Sequence, residues 1–193
     1  MYELQTTIRI NQVPFKITNK GDFRMVLDCF EALNDAELSP SEQMYAALII
    51  FYEDLNSLDD IVRHKDILEE LQCEMVKFFN SGDENLQSNT HNYRLIDWSK
   101  DSNLICSAIN NVAKQEIRAL DYLHWWTFLG YYTAVGECPL STIVGIRYKM
   151  AKNEKLEKYE QKFKVDNPEY FNIDLRSREQ READDYVKKL WGG

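Results

Sequence analysis

The side chains able to carry chemistry are three histidines, four cysteines and 32 carboxylates. His124 has the chemistry of a base or a metal ligand. No serine or cysteine nucleophile pattern accompanies it, and no second histidine lies near it in sequence. A histidine in a core or on a helix surface is the expected reading. Cys29, Cys73, Cys106 and Cys138 lie far apart and never form a Cys-x-x-Cys pair. Together with His64, His91 and His124 they lack the ligand spacing of a zinc site. Cys29, Cys73 and Cys106 sit among apolar residues, which predicts buried free thiols in a reducing compartment. Asp97 and Asp101 flank Trp98, and Asp59-Asp60 follow Glu53-Asp54, so paired carboxylates for hydrolysis are one reading. Such pairs recur in any acidic chain, and Asp101 with Ser99 reads more simply as a helix start. Gly-rich phosphate loops are absent. The residues predict a protein that is no enzyme, with no catalytic, metal or cofactor site. An enzyme with an unrecognised acidic site is the remotest alternative.

The strongest local signal is aromatic. Between Tyr122 and Tyr132, six of eleven residues are Trp, Phe or Tyr. On a helix they cover more than one narrow stripe. Most are expected in a core anchored by Trp125 and Phe128. Tyr131 and Tyr132 are expected at a rim, where a partner would find them. A thinner apolar line, Leu156, Tyr159 and Phe163, runs through the charged stretch Lys152 to Lys164. Glu154, Glu157 and Glu160 neutralise its lysines. The pairs Glu154–Lys158 and Glu160–Lys164 suit a solvated helix more than a nucleic-acid surface. Such a line fits reversible contact with another helix.

These residues must be positioned by a mostly helical frame. Thr6 to Thr18 alternates as a β-hairpin with Asn11-Gln12 at its turn and Pro14 on an edge strand. Helices are predicted from Asp22 to Leu33, from Pro40 to Leu55 behind an N-cap at Ser39, and from Asp59 or Asp66 to Phe79. Turn-forming residues fill Asn80 to Asn92. Beyond them come a helix from about Lys100 to Gln115, the aromatic segment with a stop at Gly136, and a helix from Pro139 through Arg147. Asn167-Pro168 breaks the charged stretch, and Arg176 to Lys189 reads as a further charged helix. The chain divides into a hairpin with helices over 1–80, an exposed linker at 81–92, an aromatic helical part at 93–150 and a charged tail at 151–193. A mostly α, bundle-like domain with a short N-terminal hairpin is expected.

Composition agrees. The chain has 193 residues, 44% of them hydrophobic, with only 7 Gly and 4 Pro, which is enough apolar matter for a core and too little punctuation for a sandwich. The net charge of −9 repels a phosphate backbone and argues against nucleic acid as a partner. The first residues lack the basic and apolar regions of a signal peptide, and no apolar run approaches a membrane span. The expected location is cytoplasmic, with no membrane partner.

The segment from Arg94 to Met150 resembles the bacteriophage gene-product-fifteen family of tailed phages and prophages of Gram-positive bacteria. That family pattern has an aspartate-started helix, a leucine-histidine-tryptophan-tryptophan-x-phenylalanine motif, a short acidic loop, and a helix carrying an isoleucine and an arginine. Here Asp97-Trp98-Ser99-Lys100-Asp101 with Ile105 match the first element. Leu123, His124, Trp125, Trp126 and Phe128 match the motif, Gly136-Glu137 the loop, and Ser141, Ile143 and Arg147 the last helix. The resemblance implies a tail-assembly chaperone in the cytoplasm of the bacterial host. Such a protein would coat the aggregation-prone helices of the tape-measure protein until tail-tube subunits replace it. The tail-tube protein and a second copy of the chain are further partners under this reading. A structural or adaptor protein retained in the virion is the alternative.

Overall fold

The computed structural model describes residues 3–82 and 93–176. Most of the expected linker at 81–92 and nearly all of the charged helix from Arg176 to Lys189 lie outside the described residues. The described residues form eight α-helices and one two-stranded antiparallel sheet, a mostly α fold as expected.

Strands β1 (Thr7–Ile10) and β2 (Val13–Lys16) pair with Ile8 opposite Phe15. Asn11 and Gln12 both take left-handed φ, 49° and 67°, which is the two-residue turn whose twist matches the strands it joins. Ile8, Ile10, Phe15 and Ile17 are buried, while Val13 beside the turn is exposed.

Helix α1 (Phe23–Leu33) starts at Asp22, whose carboxylate accepts the Arg24 N–H at 3.0 Å. Helix α2 (Pro40–Phe51) starts with a reciprocal cap: Ser39 N–H donates to Glu42 and Glu42 N–H to Ser39 Oγ. It ends four residues before the expected Leu55. Tyr52 turns to extended backbone, bridges to Ile17, and donates its hydroxyl to the Leu71 carbonyl at 2.9 Å. Pairing with the hairpin thus competes with the helix and wins.

Of the two starts expected for the third helix, Asp66 lies close to the observed one, and Asp59 falls in a separate short helix. Ser57 caps α3 (Leu58–Arg63), and the chain turns at His64, whose Nδ1 donates to the Asp60 carbonyl at 2.8 Å. Helix α4 (Leu68–Phe79) follows. It closes with Ser81 and Gly82 at positive φ, Ser81 N–H bonding Phe78 O and Gly82 N–H bonding Lys77 O. Cys73 lies on the exposed face of α4 beside Glu69 and Glu70, so it is not the buried thiol expected; Cys29 and Cys106 are buried.

The remaining helices are α5 (Ser102–Ala113), α6 (Trp125–Thr133), α7 (Pro139–Ala151) and α8 (Lys158–Asp166). Helix α6 stops before the expected Gly136, with Ala134 N–H bonding the Gly130 and Tyr131 carbonyls. Helix α7 ends at a left-handed Asn153, φ 56°, with Asn153 N–H on Met150 O and Glu154 N–H on Lys149 O. Asparagine tolerates that conformation, and it breaks the continuous charged helix expected from Lys152. Helix α8 is accordingly only nine residues long.

Of the described residues, those up to 82 with 109–134 make one compact unit, and 93–108 with 135–176 the other. In the first unit α6 joins the N-terminal helices because their aromatic rings pack together: Phe128 stacks on Phe23 at 4.8 Å, and Trp125 meets Phe30 edge-on at 5.7 Å. Phe51, Tyr52, Phe78 and Phe79 continue this core. The second unit is built on Ile143, Ile146 and Phe171. No helix among the described residues is long and apolar enough to cross a membrane.

Candidate functional site

The double-tryptophan motif opens α6, and its side chains tie the helix start to two other elements. Trp125 donates its indole N–H to the Phe79 carbonyl at 2.9 Å, and Trp126 donates to the Phe78 carbonyl at 2.8 Å. Phe78 and Phe79 are the last two residues of α4, where helical carbonyls lack partners inside the helix. Two adjacent indoles therefore satisfy two consecutive carbonyls at one helix end. Trp125 is buried and Trp126 half-buried.

His124 precedes them as the N-cap of α6. Its Nδ1 accepts the Trp126 N–H at 3.1 Å, and its Nε2 lies 2.9 Å from the Gln5 carbonyl. A backbone N–H can only donate and a carbonyl can only accept. Nδ1 is therefore bare, Nε2 carries the proton, and the ring is neutral. Burial lowers its pKa from 6.5, against the smaller opposing pull of the Gln5 bond and of Asp22. Both nitrogens are engaged, so neither is available to a substrate.

Leu123 completes the motif on its other side. Its N–H donates to Asp22 Oδ2 at 2.9 Å, and its carbonyl accepts the Phe23 N–H at 2.9 Å. The other Asp22 bonds go to Arg24, whose guanidinium continues to the Leu120 carbonyl at 2.7 Å. Gly21 sits at φ +80° in this crossing. A Cβ there would lie 2.7 Å from the Phe78 ring and 3.0 Å from His124 Nε2, so both the backbone and the space demand glycine.

In the second unit Arg147 is fully buried and makes five hydrogen bonds. Two go to the carboxylate oxygens of Asp101, at 2.6 and 2.9 Å; one goes to the Leu95 carbonyl, and two to the Tyr170 carbonyl. Asp101 also accepts the Asp97 N–H at 2.9 Å. Asp97 itself takes the Lys100 N–H and the Arg94 guanidinium. The two carboxylates that could have formed a hydrolytic pair are thus tied into the fold. The sequence offered Asp22 as a helix start and Asp101 as a helix start or one of a carboxylate pair, and it gave no sign of the long-range bonds that Asp22, Arg24 and Asp101 make.

Of the residues expected to meet a partner, Tyr131 and Tyr132 lie half-buried on α6. Leu156 and Phe163 pack against Ile143, Ile146 and Phe171 and so belong to the second unit's own core. Leu156 also precedes α8 rather than lying on it. Tyr159 alone of that line is exposed, at 66%. Tyr159 is thus the exposed member of that line, while the segment after the left-handed Asn153 lays Leu156 and Phe163 against α7 and Phe171. Other large exposed apolar side chains include Leu58 and Val62, one turn apart on α3, Val76 on α4, and Val165 on α8.

No curated protein and no solved structure matches this chain. A protein-family model described as Bacteriophage Gp15 protein matches residues 2–170, which include the hairpin, the double-tryptophan motif and Arg147. The chain therefore belongs to the bacteriophage Gp15 family.

Proposed function

We propose that this protein is a tail-assembly chaperone that binds the tape-measure protein during phage tail morphogenesis. The observation that carries the reading is the family match over residues 2–170, which supports a role in phage structure or assembly. The side chains agree with binding rather than catalysis. His124, Asp97 and Asp101 are engaged with other parts of the fold, and exposed apolar groups remain at Leu58, Val62, Tyr159 and Val165. Half-buried Tyr131 and Tyr132 add aromatic edges. Contacts of this kind suit the apolar stripe of a long helix, while a net charge of −9 keeps the protein dissolved. Many modest contacts also allow release when tube subunits arrive.

The test is co-purification of the folded protein with the tape-measure protein, followed by mass spectrometry of finished virions. Capture of the tape-measure protein together with absence from the particle is expected. No capture, with both proteins soluble, removes the reading. Capture with stoichiometric presence in the virion replaces it by a retained structural protein.

A further inference from the structure

We draw no further inference here: the strongest candidate, the outer edge of strand β1, which pairs only with β2 among the described residues, carries nothing because no feature of the structure shows what covers it.

Discussion

Arg147 and Asp101 lie 46 residues apart and meet through two hydrogen bonds with both side chains about 1% exposed. The guanidinium also collects the Leu95 and Tyr170 carbonyls, so one side chain joins three chain segments of the second unit. Removing one partner strands a buried charge. Arg147→Met is expected to cost about 3–5 kcal/mol. The D101L/R147M double variant should cost clearly less than the sum of the singles, because it strands neither charge. Urea unfolding of the four proteins measures this. Additive losses would show that the pair acts as two independent packing groups.

His124 predicts a pH dependence of definite sign. The folded protein uses Nδ1 as an acceptor, so it favours the neutral ring, and burial sets the folded pKa below 6.5. The associated stability is complete above the unfolded value and is lost as pH falls from about 6.5 toward the folded pKa. His124→Asn keeps an N-cap oxygen and cannot titrate. The stability gap between parent and variant should therefore narrow on acidification from pH 8 to pH 5. A gap that stays constant over that range would contradict the neutral-ring assignment.

The two tryptophans should differ in what their indole N–H contributes. Trp125→Phe leaves the Phe79 carbonyl without its indole donor in a buried setting, expected to cost about 1–3 kcal/mol beyond lost packing. Trp126→Phe should cost less, because the Phe78 carbonyl keeps the Ser81 N–H and Trp126 is only half-buried. Trp125→Ala should reach about 3–5 kcal/mol. Denaturant midpoints rank the three. A larger loss at Trp126 than at Trp125 would mean that the capping of α4 is not what the pair provides.

What could be read from the sequence divides along the distance over which each feature is determined. The Asn11-Gln12 turn, the Ser39 N-cap and the apolar stripe of α1 depend on neighbours within four residues, and all were readable. The end of α2 at Phe51 was not, because a bridge between Ile17 and Tyr52 decides it. The double tryptophan stood out as a rare pair, yet its task depends on carbonyls 46 and 48 residues earlier. Asp22 carried only the local signal of a helix cap; its bond to Leu123 spans 101 residues. Leu156 and Phe163 looked like a free helical stripe. The chain turns left-handed at Asn153, α8 begins only at Lys158, and both side chains pack beside Ile143, Ile146 and Phe171.

Salt separates the apolar from the ionic part of partner binding. Raising ionic strength from about 0.1 M to 1 M shortens the Debye length from about 10 Å to about 3 Å, which weakens exposed charge pairs and leaves apolar burial intact. Leu58, Val62, Tyr159 and Val165 are apolar or aromatic and exposed, so contacts through them should survive high salt. Tape-measure capture by the parent is therefore expected to fall only modestly at 1 M salt. A L58S/V62S variant, altered only on the exposed side of α3, should lose affinity at both salt concentrations. Complete loss of capture by the parent at 1 M would make the association electrostatic and would reject the apolar mechanism while keeping the partner.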